Sequence, residues 1–409
     1  MKKLLIIAVV IMFAAGAAYA EDRLSLNGSF RVAGWSSEAA GGWDSNDTAD
    51  WWAQRLRIGG KIAVADDVAV NFRMDIGDAA WGDSFGTGYI VRPRGANGTG
   101  NANQLDVDRA YVSINKDFWE LDAGQQYLGL GVAEVLDANV PALTLRIKPT
   151  EALKISLIYA KIDESGSLND DAPFEDVDFY AVNVGFATDN LSVKGYYAQQ
   201  ADGTVAAEEP NVFGVYGSMA LGMFNLEAEL DVLGGDNAAG TDYQGTQFFL
   251  GADAGLTEMI KLGAELFYAA GYSDPGEQQI TGLCDWWTFT PMGYNTPQSG
   301  NISAFSPNGT SSPFDPSGDG AGAMGMTLWA DFAIMEGLKA GAKIGYWEVD
   351  DDTVTNMDSI MAYNAYVSYM IATNSNLSLT YLSSTPDFDT AGILDDSYNV
   401  GVLELMIKF

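Results

Sequence analysis

The sequence predicts an all-β fold, a transmembrane antiparallel β-barrel of about 18 strands with 16 as the alternative, on three observations. Apolar and polar side chains alternate with a period of two along most of the chain. The alternating segments come in pairs joined by very short polar turns. After the first 20 residues, no apolar run is long enough for a membrane helix. Such strands satisfy their backbone hydrogen bonds inside a membrane only by closing into a barrel.

The amino terminus indicates export. Lys2 and Lys3 precede an apolar run from Leu4 to Ala17, and Ala18-Tyr19-Ala20 follows as an A-x-A cleavage site. A transmembrane anchor is the alternative, but this run is short for the ~20 residues that a spanning helix needs. We therefore expect residues 1–20 to be a signal peptide and residues 21–409 to form a single outer-membrane barrel domain.

Composition excludes several classes of partner and chemistry. The formal net charge of −34 excludes nucleic acid or anionic lipid as the main partner. One cysteine, Cys284, provides no disulfide framework. Histidine is absent, which removes histidine-based zinc sites and Ser-His-Asp hydrolysis. We therefore expect no enzymatic activity.

Each predicted strand is a segment of alternating side chains, and the set has the even number that single-chain bacterial barrels require. The segments are 23–35, 51–65, 67–77, 105–115, 117–127, 140–148, 152–162, 176–187, 190–200, 210–220, 222–233, 244–255, 259–271, 321–335, 337–349, 358–371, 375–384 and 396–409. The short segment 140–148 belongs either to the wall or to a folded-in loop, which leaves 16 strands as the alternative.

The connections alternate in length and so predict the orientation. Short turns such as 65–67 and 335–337 are assigned to the periplasmic side, and the longer connections lie outside. The longest, 272–320, contains Trp286 and Trp287 and either packs on itself, caps the pore or offers an aromatic platform to a ligand.

One face of the predicted strands is apolar and is expected to meet lipid. Three clear rows are Val68, Val70, Phe72, Met74 and Ile76; Leu153, Ile155, Leu157 and Tyr159; and Phe224, Leu226, Ala228, Leu230 and Val232.

The opposite face carries the candidate pore-lining residues. Every arginine lies before residue 147, whereas acidic inward positions gather later. A basic wall would then face an acidic wall across the barrel, with a transverse field between them. The alternative is that the arginines only neutralise neighbouring carboxylates such as Asp75 and Asp122. The basic candidates are Arg31, Arg55, Arg57, Arg73, Arg109 and Arg146, and the acidic ones are Glu227, Glu229, Asp231 and Glu265.

The last strand, from Tyr398 to Phe409, places Leu403, Leu405, Ile407 and Phe409 on one face. This strand resembles the terminal signature of Gram-negative outer-membrane β-barrels. The resemblance implies that the barrel-assembly machinery reads Phe409 as an assembly signal and that the protein is a multi-pass outer-membrane protein.

A second resemblance is narrower. Residues 108–126 resemble the paired strands that precede the constriction loop of general bacterial porins. The resemblance implies that the next segment, Tyr127 to Asn139, folds inward with Glu134 and Asp137 opposite the arginines. It also implies a homotrimer among outer-membrane lipid and lipopolysaccharide, forming a water-filled channel for passive diffusion of small hydrophilic solutes and ions.

Two alternatives to a diffusion porin stay open. One is a substrate-specific 18-stranded channel for a sugar or a carboxylate, for which Tyr196, Phe267 and Trp347 are scattered inward aromatics. The other is a non-transport barrel, either an adhesin or a sheath for a cytochrome.

No cofactor is expected, but acidic external loops suggest metal binding as one outcome. Asp350-Asp351-Asp352 and Asn169-Asp170-Asp171 are candidate sites for Ca²⁺ or Mg²⁺, with a solvated loop as the alternative. The acidic excess also predicts a preference for cations over anions.

Overall fold

In the computed structural model, the strands of one sheet close into an antiparallel barrel. The structure describes residues 23–38, 48–80, 91–93, 105–131, 136–163, 177–202, 209–236, 242–271, 277–279, 294–296, 300–302, 322–351, 357–388 and 397–409. Within these ranges, no helix has the length and apolar character needed to cross a membrane.

The described strands, in chain order, are as follows. They are β1 (Leu24–Glu38), β2 (Thr48–Ala65), β3 (Val68–Ala80), β4 (Val91–Pro93), β5 (Leu105–Lys116), β6 (Trp119–Leu130), β7 (Leu136–Ile147), β8 (Leu153–Asp163), β9 (Val177–Ala187), β10 (Leu191–Asp202) and β11 (Glu209–Leu221). They continue with β12 (Phe224–Asp236), β13 (Asp242–Gly255), β14 (Ile260–Ala269), β15 (Glu277–Gln279), β16 (Tyr294–Thr296), β17 (Gly300–Ile302), β18 (Ala323–Met335), β19 (Leu338–Val349), β20 (Met357–Ala372), β21 (Ser375–Phe388) and β22 (Tyr398–Lys408).

The wall has 18 described strands, each antiparallel to its two wall neighbours. Of the three-residue strands, β4 and β15 pair in parallel with β5 and β13, and β16 pairs with β17 in a separate sheet. The first strand pairs with both the second and the last, so the sheet has no free edge at this seam. At the seam, Gly28 N donates to Phe409 O at 2.8 Å and Phe409 N donates to Gly28 O at 3.0 Å. A Cβ on Gly28 would meet the Phe409 ring at 2.6 Å, so only glycine leaves room for the ring there.

The predicted barrel and its 18 strands are confirmed, but several strand bounds differ. The strands β2 and β20 have 18 and 16 residues and extend beyond the predicted segments. The segment 127–139, which the porin resemblance expects to fold inward as a loop, is strand over most of its length, because β6 continues to Leu130 and β7 already begins at Leu136. Apolar side chains continue to alternate through this segment, at Leu128, Leu130 and Leu136.

Among the described residues, short connections lie at one end of the barrel, as predicted. Two-residue turns join β2 to β3, β5 to β6, β11 to β12 and β18 to β19. Gly222 in one such turn has φ +62°, and Asn374 between β20 and β21 has φ 61°; this left-handed region is accessible to glycine and asparagine.

The outward face is apolar. Leu157 is 42% exposed, and Leu230 and Val232 are 51% and 50% exposed. These side chains belong to predicted lipid-facing rows, and their exposure confirms the register of β8 and β12. Each such side chain contributes ~1.5–3 kcal/mol when it leaves water. The polar side chains between them therefore face the interior of the barrel.

Candidate functional site

The β6–β7 hairpin leaves the barrel wall partway along its length. β6 pairs with β5 only as far as Ala110↔Gln125, and β7 pairs with β8 only as far as Ala142↔Ala160. Beyond these points the two strands pair with each other alone, from Gln126↔Val140 to Leu130↔Leu136. We call residues 126–141 the tongue; residues 132–135 at its tip lie outside the described part of the chain.

Gly124 marks the point where the tongue departs. Its φ is +127°, and a Cβ there would lie 2.5 Å from the carbonyl oxygen of Ala110 on β5. Both features require glycine. The residue thus permits β6 to bend away from β5.

One face of the tongue is apolar and buried. Leu128, Leu130, Leu136 and Val140 are between 2% and 6% exposed and belong to one cluster with inward side chains of the wall. The wall members are Ala142, Ala160, Phe179, Ala181, Tyr196, Ala198, Val212, Leu233 and Tyr243. Because these residues lie on successive strands from β7 to β13, the tongue lies against the inner surface of this half of the barrel.

Two buried polar side chains hold the root of the tongue. Gln126 Nε2 donates to the carbonyl oxygen of Ala142 at 2.8 Å, and Thr144 Oγ1 donates to Gln126 Oε1 at 2.9 Å. Their hydrogen bonds offset the cost of burying these groups.

The other face of the tongue meets an arginine of the wall. Arg109 on β5 donates from Nε to Asn139 Oδ1 at 2.9 Å, and its guanidinium carbon lies 4.8 Å from the centroid of the Tyr127 ring. Asn139 Nδ2 in turn donates to Asp108 Oδ1 at 3.1 Å. Tyr127 is 44% exposed, so this face of the tongue borders open space.

A β-bulge places both Asp108 and Arg109 at this contact. Arg73↔Arg109 and Met74↔Val107 are successive pairs, so Asp108 has no partner on β3. A bulge redirects side chains that strict alternation would send to opposite faces. Asp108 is 1% exposed and forms an ion pair with Arg73, and it lies 3.7 Å from Arg57.

Three further basic residues of this wall pair with carboxylates. Arg57 donates from Nε and a terminal nitrogen to the two oxygens of Asp75, both at 2.6 Å. Arg146 pairs with Asp122, and Lys148 pairs with Glu120. Arg55 lies in register with Arg31 on the neighbouring strand. Asp75 and Asp122 therefore neutralise neighbouring arginines, as the alternative in the sequence analysis predicts.

The acidic residues of β12 differ from the prediction. Glu229 and Asp231 are 3% and 0% exposed, and the Tyr196 hydroxyl lies 2.7 Å from Glu229 Oε1 and also contacts Asp231. Gln247 Nε2 donates to Asp231 Oδ2 at 3.1 Å. Gly131 on the tongue lies so close that a Cβ there would overlap the Glu229 carboxylate.

The prediction that Arg31, Glu229 and Asp231 line the pore therefore needs correction. All three point inward, but the tongue covers the two acids. Arg31 is 6% exposed and pairs with Glu404. Solutes in the lumen would not reach these groups.

The remaining acidic candidates have mixed outcomes. Glu227 and Glu265 lie on β12 and β14 and are partly buried on the inner face. Glu134 lies outside the described residues, and so does the side chain of Asp137, whose backbone pairs with Gly129 in the tongue. Asp350 accepts from Gly271 N at 2.7 Å and Tyr268 at 3.1 Å, whereas residues 169–171 and 352 are outside the described part.

Comparison with known proteins agrees with this architecture. Residues 8–155 match the profile of the family described as Gram-negative porin. Over residues 8–155 the chain is thus similar to Gram-negative porins, and its fold is a porin-like β-barrel. No curated protein sequence matches this porin-like barrel.

Several solved bacterial proteins have a similar fold. Acinetobacter baumannii OccAB2 is 12% identical with a TM-score of 0.58, and the match covers 95% of this porin-like barrel and 98% of that chain. Pseudomonas aeruginosa OpdK, solved with vanillate, is 10% identical with a TM-score of 0.56 over 95% and 99% of the two chains. Pseudomonas aeruginosa OccK9 (OpdG) is 15% identical with a TM-score of 0.55 over 96% and 100%. At these identities the likeness concerns the fold alone.

Sequence reasoning missed the apolar face of the tongue. Leu128, Leu130 and Leu136 continue the two-residue period through the segment that was assigned to a loop. That continuing period was the available signal for a hairpin. The bulge at Asp108 also has a sign in the sequence, because the adjacent polar residues Asp108 and Arg109 break strict alternation.

Proposed function

We propose that this porin-like barrel is a channel for passive diffusion of small hydrophilic solutes and ions, narrowed by the tongue. The observation that carries the proposal is the hairpin itself, which leaves the wall and lies inside the barrel. Its apolar face is buried against β7–β13, and its opposite face presents Tyr127 next to Arg109. A water path bordered by an aromatic ring and a guanidinium group admits polar solutes and limits their size.

Liposome swelling tests this proposal. Vesicles containing the purified barrel are diluted into isotonic solutions of neutral solutes of increasing size, with protein-free vesicles as the control. We expect fast swelling with small solutes and a steep decline as solute size rises. Swelling that stays at the protein-free rate for the smallest solute would contradict the proposal.

A second candidate is a channel selective for small organic anions. The OpdK structure was solved with vanillate, an organic anion. In this porin-like barrel, Arg73 and Arg109 lie beside the tongue, where such an anion would pass. Each already contacts Asp108 or Asn139, however, which lowers the local positive field. Preferential uptake of vanillate over a neutral solute of equal size would favour this candidate.

We also propose that the barrel forms a homotrimer and that the assembly machinery binds its last strand. The trimer rests on the resemblance of residues 108–126 to general bacterial porins. The assembly signal rests on the resemblance of the closing strand and on the position of Phe409 at the seam, where its ring covers Gly28. Mass measurement of the detergent-solubilised complex tests the first part; a monomer mass would exclude a stable trimer.

A further inference from the structure

Two aromatic rings lie against the inner wall in the half of the barrel that is formed by β14 and β18–β20. Trp329 on β18 covers Gly263 of β14, and Tyr366 on β20 covers Gly341 of β19. In each case a Cβ on the glycine would overlap the ring. Because glycine has no side chain, each ring packs on the backbone of the neighbouring strand and remains partly exposed on the inner face.

The strand register sets the positions of the two rings. Trp329 pairs with Lys343, which pairs with Asn364, and these residues form one row across the sheet. Asp331, Gly341 and Tyr366 form the row two residues nearer the short turns. Strand spacing and rise place the two rings on the order of 10 Å apart. One sugar ring is too small to cover both, whereas an oligosaccharide of two or more rings is long enough.

Hydrogen-bonding groups lie between the rings. Asp331 accepts from the Tyr366 hydroxyl at 2.8 Å through Oδ1, and its second oxygen has further acceptor capacity. Lys343 supplies ammonium donors, and Asn364 supplies an amide that both donates and accepts. Both lie on the inner face and are partly exposed.

Charges around the rings are of both signs. Lys261 Nζ lies 5.1 Å from the Trp329 ring centroid and 3.0 Å from Asp253 Oδ1. Glu265 lies on the inner face of the neighbouring strand β14 and is partly buried. An anionic solute at this surface meets Asp331 and Glu265, and a cationic solute meets the two lysines. A neutral solute is repelled by none of these charges.

We infer that this surface, formed by Trp329, Asp331, Lys343, Asn364 and Tyr366, binds neutral oligosaccharides as they pass through the channel. Aromatic ring faces receive the apolar C–H face of a sugar ring, and the polar side chains between them hydrogen-bond its hydroxyl groups. The inference rests on the proposed channel and adds a class of preferred solute. It involves none of Tyr196, Phe267 and Trp347, which are all buried.

The test is current block in a planar lipid bilayer containing the full-length barrel. Maltotriose is added to one side, and the concentration that halves the ion current is measured. We expect block in the wild type. We expect Trp329→Ala to raise the half-blocking concentration about tenfold, since a stacked aromatic contact contributes about that factor. Tyr363→Ala, on the outer face of β20, is the matched control and should leave block unchanged.

The outcomes separate this inference from the proposed function. A folded wild type without ion current contradicts the channel itself. If the wild type conducts ions but maltotriose does not reduce the current, the saccharide site is overturned and the channel is not. In a further outcome, vanillate or spermine blocks the current more strongly than maltotriose does, and that block is lost in Trp329→Ala. Such a result overturns the assignment of neutral saccharides as the preferred solutes. If Trp329→Ala does not fold, Gly263→Ala, which displaces the ring, replaces it and should weaken block in the same direction.

Discussion

Arg109 joins the barrel wall to the tongue through two different contacts. It donates to Asn139 and lies over the Tyr127 ring. The guanidinium group suits both, because it is planar and presents its donors in a fixed fork. The same side chain therefore places a positive charge beside the water path and fixes the position of the face that narrows it.

Replacing Arg109 with alanine should raise the preference for cations. One charge at channel distance contributes ~0.4–1 kcal/mol in water, so we expect the cation-to-anion permeability ratio to rise about two- to fivefold. The reversal potential across a KCl gradient measures this ratio. Arg109→Lys keeps the charge and serves as the control; a similar rise in that variant would show that the charge is not the cause.

Gly124 should tolerate no side chain. Its φ of +127° and the 2.5 Å approach to the Ala110 oxygen both oppose a Cβ, so Gly124→Ala should cost about 1–3 kcal/mol in the free energy of unfolding. Thermal unfolding in detergent measures the loss. Gly195→Ala on β10, where a Cβ meets nothing within 4 Å, is the control and should unfold close to wild type. Equal losses in both variants would refute the role assigned to Gly124.

At the scale of residues, the sequence predicted which side chains face inward better than which ones meet water. Alternation correctly placed Glu229 and Asp231 on the inner face. It could not reveal that a hairpin from elsewhere in the chain covers them, because that contact joins residues about 100 positions apart. The pairs Arg57–Asp75 and Arg146–Asp122 are formed across adjacent strands and were within reach of sequence reasoning as the stated alternative.

At the scale of elements, the tongue is a two-stranded hairpin that is stable only because one face is buried. An isolated hairpin is marginal in water. Here four apolar side chains join a cluster that extends from β7 to β13. Burying each large apolar side chain contributes ~1.5–3 kcal/mol of stabilisation, and this is the main contribution that holds the tongue against the wall.

A charge in this face should release the tongue. Leu130 is 2% exposed, and Leu130→Asp would bury a carboxylate among apolar side chains. The tongue should leave the wall rather than accept that cost, and we expect larger solutes to enter. Exclusion of polyethylene glycols of graded size from the pore measures the change. Leu130→Met, which conserves volume, should keep the wild-type size limit. An unchanged limit in Leu130→Asp would contradict the role of the cluster.

The element-level prediction succeeded where strands stay in the wall and failed where they leave it. The two-residue period identified β8 and β12 with their lipid-facing rows, since lipid contact imposes strict alternation. The tongue obeys the same period for another reason, burial inside the barrel. Period alone does not distinguish these two environments, so the sequence predicts that the segment folds inward but does not predict that it is a hairpin with one buried face.

At the scale of the whole molecule, closure depends on the pairing of the first and last strands. Phe409 contributes two backbone hydrogen bonds to Gly28 and a ring that covers it. We expect deletion of Phe409 to lower the yield of folded barrel in outer membranes, measured as the fraction of protein that shifts mobility on heating before electrophoresis. Phe409→Tyr keeps the ring and the backbone bonds and should restore the yield. A normal yield after deletion would contradict this role.

The closed barrel should hold a continuous water path past the tongue. Single-channel recording in a planar bilayer tests it most directly. Purified barrel is first shown to be folded by the change in its electrophoretic mobility on heating. This folded protein should produce discrete current steps whose size rises with salt concentration. The same folded material inserting into the bilayer without any current step would contradict the claim.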